Sequence, residues 1–537
     1  MTSAVDFVNS VPLSVGQALG LALLLLVGII YIGKSRRRNR LPPGPAPWPV
    51  IGSLPLLGTM PHSSLYHLSK QYGPLMYLKL GTTDTVVASS PKVAEAFLKT
   101  NDGNFSNRPG NAGAKYMAYD SNDLVWAPYG KRWRMLRKVC NIHLFAGKAL
   151  DDMQPLRQAE VGLLVRSLLE HGRRGEAVNL GEMLNVCTAN VLGQVMFSKR
   201  VFESRGDSKA SEFREMVIEL MVLAGVFNIG DFVPSLAWLD LQGVQAKMKI
   251  LHAKFDDFFG RIIAEHQEES ARTGKIKKDF LSVILALRNN ADGEGGQLTD
   301  TDMKALLLDL FTAGTDTSSS TVEWAITELI RHPDIMEKCR QELDTMVGTE
   351  RKLEENDLQK LSYLQAVVKE TFRLHPSTPL LLPRMAAEAC TIEGYHIPKG
   401  ARLMVNAWGI QRDPDVWERP LEFDPERFVG SSVDVRGTDF EVIPFGAGRR
   451  ICAGVSMGMR MVQFMLATLV YSFDWSLPAG ADGGEAGHGG GVWAHPSEGG
   501  APPRRSVPSF APCSLRLKKL KTHFRMFFRC CLSFLLH

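Results

Sequence analysis

The chain has 537 residues, 45% hydrophobic and 22% charged, enough for a large core, and no Gly/Ser-rich or Pro-rich linker divides its middle, so one large domain is expected. A net charge of +5 is small for this length; it is compatible with an anionic partner or surface and makes no case for nucleic acid. Eight cysteines without a CxxC pair fit neither a disulfide scaffold nor a structural zinc site, and they suggest a reducing compartment.

From Val11 to Gly33 the chain is apolar except for Ser14, Gln17 and Tyr31, long enough at 1.5 Å per residue to cross roughly 30 Å of hydrocarbon. Lys34, Arg36, Arg37, Arg38 and Arg40 follow directly, with only Asp6 ahead, an order that places the N-terminus across a membrane and the body on the cytoplasmic side. A cleaved signal peptide would carry its basic residues before the apolar stretch. Leu41 to Pro49 cannot continue a helix, because proline lacks the amide donor and restricts its predecessor, and it reads as a stiff connector. The expected organisation is a membrane anchor at 1–33, a basic and proline-rich hinge at 34–49, one globular body at 50–478 and an atypical tail at 479–537.

Leu75 to Ala88, around Gly81, predicts an early hairpin. Apolar residues recurring every three or four positions then predict helices at Ala149–Leu169, Ser211–Val226, Lys247–Glu268, Asp279–Leu287 and Thr301–Arg331, the last long and buried. Further helices are expected at Asp334–Val347, Leu361–Leu374 and Val455–Tyr471, with short extended pieces at Ala389–Tyr395 and Ala401–Asn406. The fold class is mainly α with a small β portion.

The most informative stretch is Phe445-Gly446-Ala447-Gly448-Arg449-Arg450-Ile451-Cys452-Ala453-Gly454. Clustered glycines let backbone approach a large planar group, and Gly448 and Gly454 can take conformations other residues avoid. Cys452 lies just before a helix, whose positive end favours a thiolate, and Arg450 offers several fixed donors to a carboxylate. By itself, such a turn could equally surround a buried structural cysteine.

This stretch resembles the haem-binding signature of the cytochrome P450 family, supplying Phe445, Gly448, Arg450, Cys452 and Gly454 at the matching positions. The resemblance extends in order over nearly the whole chain and implies the P450 fold with haem b, Cys452 as axial ligand to the iron, Phe445 shielding the sulfur and Arg450 on a haem propionate. Glu370 and Arg373 match the family's Glu-x-x-Arg pair; their i,i+3 spacing puts them on one helix side, where the resemblance implies a structural triad with Arg427 of Pro425-Glu426-Arg427-Phe428, as against an ordinary surface pair. Ala313-Gly314-Thr315-Asp316-Thr317 resembles the oxygen-activation segment, which assigns Thr317 to oxygen activation and Asp316 to proton relay; Thr317 bonding only its own backbone is the plain alternative. Trp133-Arg134-Met135-Leu136-Arg137 is similar to the Trp-x-x-x-Arg helix, implying propionate contacts from Trp133 and Arg137. Lys131, Arg132 and Lys138 beside it fit either docking of an acidic electron donor or a solvated face.

Within the family, Phe105-Ser106-Asn107-Arg108-Pro109, Asn228 to Phe232, Asp240 to Gly243, Phe311 to Ser320, His375 to Leu380 and Val433 to Gly437 look closest to plant flavonoid B-ring hydroxylases. The resemblance implies oxygen insertion at the 3' carbon of the flavonoid B ring, a pocket lined by Phe311, Thr312, Ala313, Thr378 and Leu380, and electrons from NADPH through a separate cytochrome P450 reductase. It also implies a single-pass protein of the endoplasmic reticulum membrane working near other flavonoid-pathway enzymes. Several of the same segments look like the relatives that hydroxylate both 3' and 5' positions. After Pro478 the family pattern stops and glycine dominates. Reading Gly483 to Pro502 one nucleotide later, with permitted codons, gives a peptide that looks like the family's missing terminus, so a frameshifted tail is expected, a harmless disordered extension being the alternative. A haem-binding but catalytically impaired protein acting mainly through pathway-enzyme association is the alternative function.

Overall fold

A computed structural model describes residues 41–202, 208–274, 278–289, 298–348, 351–476 and 493–498. The principal elements in chain order are α1 (Pro61–Tyr72), β1 (Leu75–Leu80), β2 (Thr83–Ala88), α2 (Lys131–Cys140), α3 (Gln154–Arg173), β3 (Val178–Asn179) and α4 (Leu180–Phe197). They continue as α5 (Ser208–Gly225), α6 (Val244–Thr273), α7 (Asp300–Arg331), α8 (Pro333–Val347), α9 (Ser362–Leu374), β4 (Arg384–Met385), β5 (Cys390–Ile392), β6 (Tyr395–Ile397) and β7 (Arg402–Val405). The last are α10 (Val455–Ser472), β8 (Phe473–Ser476) and β9 (Trp493–Glu498). The mainly helical expectation with a small β portion agrees with this architecture.

Two layers position the site. The expected hairpin pairs Leu75 with Ala88 through to Leu80 with Thr83, and it extends into a sheet of order β1-β2-β7-β4 with β2 and β7 parallel. One face of that sheet buries Leu75, Tyr77, Val86, Ala88, Leu403 and Val405 against Phe97 and Phe105. The larger core lies among the helices. Its axis is α7, which starts at a capping box: the Thr299 hydroxyl accepts from Asp302 N while the Asp302 carboxylate takes Thr299 N at 2.8 Å. Gly314 lets α4 lie close, since a Cβ there would meet Leu192 Cδ1 at 2.9 Å. The pair is pinned by Thr188 Oγ1 donating to Thr315 O at 3.2 Å.

Three of these helices differ from the sequence expectation. The run expected at 149–169 is split, with Gly147–Asp152 ending before Pro155 and α3 starting at Gln154, because proline suits the first turn of a helix and not its interior. α1 and α4 were not expected at all; α4 is buried nearly all round and so shows no amphipathic stripe.

The expected membrane helix needs correction. Among the described residues no helix is long and apolar enough to cross a membrane, and the stretch 11–33 on which that span was read lies outside the described residues. The expected transmembrane element and single-pass endoplasmic reticulum topology are thus not borne out among the described residues. Of the connector, residues 41–49 are described and contain no helix; Pro43 O accepts from Tyr77 N at 2.8 Å, so this stretch runs beside β1. Most of the tail also lies outside the described residues. Its strand β9 pairs antiparallel with β8, Phe473 opposite Glu498, and with β3, Val178 opposite Ala494.

Candidate active site

A cavity of ≈ 320 Å³ lies between α7 and the cysteine loop. Phe445, Gly446, Cys452, Ala453, Gly454 and Met457 line one wall, and Asp309, Leu310, Ala313, Gly314, Thr317 and Thr321 the other. The cysteine loop is closed by Cys452 N donating to Phe445 O at 3.0 Å. Gly446 and Gly448 supply its left-handed turns at φ +70° and +69°, and a Cβ on Gly448 would collide with Leu98 O. Gly454, expected to be conformationally unusual, has an ordinary φ of −88°. Cys452 is exposed to the cavity it lines. Burial pushes its thiol up, while the Gly454 N–H and the Arg137 guanidinium pull it down.

Arginines gather on the rim. Arg450 donates to Ser106 O at 2.8 Å and to Ala127 O, and its guanidinium lies 4.5 Å from the Trp133 ring centroid. Arg137 donates to Ile451 O at 2.8 Å, Trp133 Nε1 to Leu124 O at 3.1 Å, and Arg108 to Val125 O at 3.1 Å and Leu382 O at 2.8 Å. Arg384 pairs with Asp102 at 3.0 Å, but among the described residues no carboxylate forms an ion pair with Arg108, Arg137 or Arg450. Burial depresses all three, Arg450 to about 10. Arg450 is buried and Arg108 and Arg137 half-buried, and cations so placed whose donors meet only neutral carbonyls suit an anionic ligand.

Behind this wall, Arg373 Nε and Nη2 donate to Glu370 at 2.6 and 2.7 Å, and neither side chain is exposed. Arg427 Nε lies 3.4 Å from Glu370 Oε1, and Asp424 N donates to the same oxygen at 2.8 Å. Arg373 also ties down three carbonyls, those of Gln411, Pro420 and Glu422. The three charged residues expected together are thus in one cluster. Burial raises the Glu370 carboxyl despite Arg373.

The expected oxygen-activation residues part company. Thr317 lines the cavity, its hydroxyl donating to Ala313 O at 2.8 Å. Asp316 is not among the lining residues; its carboxyl, raised by burial, bonds Asn185 of α4. Of the five pocket candidates, Ala313 and Thr378 line the cavity, while Phe311, Thr312 and Leu380 do not. Phe311 is buried in the helical core, Thr312 Oγ1 is buried without a hydrogen bond, and Leu380 packs behind the sheet.

The sequence profile of the cytochrome P450 family matches residues 42–498. The chain belongs to this family. A flavonoid 3'-monooxygenase of Crocosmia x crocosmiiflora is 59% identical over 86% of this chain and 91% of its own length; one of Arabidopsis thaliana is 57% identical over 86% and 90%. A flavonoid 3',5'-hydroxylase of Solanum melongena is 54% identical over 86% and 91%. Among solved structures, a zebrafish cytochrome P450 bound to abiraterone shares 26% identity with a TM-score of 0.67, covering 82% of this chain and 98% of that one.

This P450 is therefore a haem-thiolate monooxygenase carrying haem b, with NADPH acting through a reductase. The residues present fit the group: a thiol opens onto an apolar slot, glycines remove the bulk beside it, and buried or half-buried arginines without carboxylate partners suit two propionates. Cys452 would bind the iron, and Arg108, Trp133, Arg137, Arg384 and Arg450 would hold the propionate edge. Once bound, haem supplies oxygen activation tuned by its sulfur ligand. Arg108 and Arg384 escaped the sequence reading: Arg108 sits in the Phe105 to Pro109 motif without a stated role, and no motif marks Arg384.

Proposed function

We propose that this P450 hydroxylates the 3' carbon of the flavonoid B ring: one atom of O2 enters the ring, giving a catechol, and the other leaves as water, with two electrons from NADPH and one further proton. The observation that carries the position is the higher identity to the 3'-monooxygenases just described, 59% and 57%, than to the 3',5'-hydroxylase at 54%. A largely apolar slot whose α7 wall is cut back at Ala313 and Gly314 supports entry of a flat ring edge.

In this reading Cys452 is the axial ligand and Phe445, 4.9 Å from the Phe372 ring, shields it. Arg137, Trp133 and Arg450 hold the propionates, and Glu370, Arg373 and Arg427 brace the wall behind. Thr317 presents its hydroxyl oxygen to the reacting face and hands on protons, with Asp316 supplying them from the α4 side. Ala313 and Thr378 touch substrate; Phe311, Thr312 and Leu380 support that wall from behind. The reductase docks on the exposed residues Lys131, Arg134 and Lys138 of α2; Arg132 is engaged with Asp302. Other flavonoid-pathway enzymes work beside it, which proximity labelling in plant cells tests. The tail from 479 derives from a shifted reading frame, and a genomic sequence unable to encode the family terminus in another frame would dismiss that origin.

The decisive experiment is mass spectrometry of products from 4'-hydroxylated flavonoids incubated with holoenzyme, reductase and NADPH. A single added oxygen at 3' is expected. Absence of product despite a normal carbon monoxide spectrum, or a predominantly 3',5'-hydroxylated product, would defeat the assignment.

A further inference from the structure

Residues 101–107 run between the cysteine loop and β4 and are tied to both. On the β4 side, Met385 N donates to Asn107 O at 2.9 Å, Ala387 N to Asn104 O at 2.9 Å and Glu388 N to Asn104 Oδ1 at 2.8 Å. Within the segment, Ser106 Oγ donates to Asp102 O at 2.6 Å, and the Phe105 ring meets the Phe97 ring edge-on at 4.8 Å. A stretch held at so many points keeps a charge that it carries in one place.

That charge is the Asp102 carboxylate, buried beside the cysteine loop. Its Oδ1 accepts from Arg384 Nη1 at 3.0 Å, and its Oδ2 accepts from Arg449 N at 2.9 Å and Arg449 Nη1 at 3.1 Å. Arg449 N belongs to the turn Gly448–Arg450, so the carboxylate caps from outside the turn that leads to Cys452. Arg384 Nη2 in turn donates to Ala447 O at 2.6 Å, just before that turn. One ion pair thus grips the loop at both Ala447 and Arg449. The space is cut to fit it: a Cβ on Gly448 would meet Asp102 Oδ1 at 2.7 Å, and one on Gly103 would meet Arg449 Nη1 at 3.4 Å. Burial pulls the Arg384 guanidinium down, and the Asp102 carboxylate pulls it back up. Arg384 lines the cavity and Asp102 does not. Whatever Asp102 does at the cavity is therefore done through its two partners.

We propose that Asp102 is a positioning residue of the haem site: through Arg384 and Arg449 N it clamps the cysteine loop, aims Arg384 at the propionate edge and lowers the electron affinity of the iron. A fixed negative charge near the haem favours the more positive, ferric state, so its removal eases reduction. The proposal rests on Cys452 as the iron ligand, the reading given above, and makes no use of the flavonoid assignment.

The test uses full-length holoprotein without substrate, mixed with an excess of a haem-scavenging apoglobin, and haem transfer is followed in the visible spectrum. Asp102→Asn keeps an acceptor for Arg449 N and removes the charge; its haem transfer is expected to be faster by about threefold or more, with the carbon monoxide band in place. Asp102→Ala loses the cap as well, and transfer faster by about tenfold is expected. In a titration against a redox dye, Asp102→Asn is expected to raise the ferrous-to-ferric ratio at a fixed poise by about threefold or more. Arg384→Met is the control for a merely structural role. Without the guanidinium the Asp102 charge has lost its partner, so adding Asp102→Asn to Arg384→Met is expected to leave haem transfer unchanged or slower. Unaltered transfer in Asp102→Asn, a ferrous-to-ferric ratio that stays the same or falls, or equal acceleration with and without Arg384 overturns the proposal. Loss of helical circular dichroism in Asp102→Asn makes Asp102 a folding residue and overturns it too, whereas intact helices with no haem retained are the expected result at its limit. A parent that lacks the carbon monoxide band of a thiolate-bound haem overturns the Cys452 assignment and the proposal with it. That band in the parent, with Asp102 variants that behave like it, overturns the proposal alone.

Discussion

Arg373→Ala tests the buried charge cluster behind the cysteine loop. The substitution removes both hydrogen bonds to Glu370 and the donors to the carbonyls of Gln411, Pro420 and Glu422. Glu370, wholly buried, keeps only Asp424 N and the more distant Arg427. It escapes an unpaired charge by taking up a proton, which at pH 7 costs about 1.36 kcal/mol for each unit above its ordinary value of 4.5, or about 3 kcal/mol. Carbonyls left without donors add about 1–3 kcal/mol after water fills part of the gap. The expected loss is about 4–6 kcal/mol, comparable to the whole margin of many domains. The pH dependence separates the two contributions. In the variant, folding raises the Glu370 pKa further, so the folded state binds the proton more tightly than the unfolded state, and stability falls as pH rises above the ordinary carboxylate range. Relative to the parent, the deficit should therefore shrink by about 2–3 kcal/mol between pH 7 and pH 5. Urea unfolding followed by far-UV circular dichroism at both pH values reads this directly. An equal deficit at pH 5 and pH 7, or a loss below about 1 kcal/mol, would refute the reasoning.

Cys452→Ser is expected to keep the helical circular dichroism and abolish the carbon monoxide band of a thiolate-bound haem; a retained band would move the ligand elsewhere. Gly448→Ala combines a left-handed φ of +69° with a collision at Leu98 O, so a loss of more than about 2 kcal/mol and reduced haem content are expected, measured by thermal unfolding and the haem-to-protein absorbance ratio. Thr317→Ala gives up only the bond to Ala313 O, so stability should change by under about 1 kcal/mol while product per NADPH falls severalfold. Ala313→Phe fills the α7 wall of the cavity and should weaken flavanone binding at least tenfold in spectral titration with the haem spectrum preserved.

Contiguous chemistry was legible in the residue order. The cysteine loop is legible because its glycines, arginine and cysteine lie within ten residues that match the family's haem-binding signature, and the long helix α7 because its periodicity is local, although its capped start at Thr299 was not read. The Glu370 and Arg373 pairing follows from helical spacing alone. Only the tertiary structure decided which faces of α7 meet which neighbours. Asp309, Ala313, Thr317 and Thr321 form one row at steps of four and face the cavity, while Asp316 and Ser319 bond Asn185 of α4. A helix repeats every 3.6 residues whatever surrounds it, so the sequence shows which side chains share a face but not what that face touches. The same reason hid α4, which is packed on all sides, and hid Arg384, whose bond to Asp102 joins residues far apart in the chain that packing alone brings together.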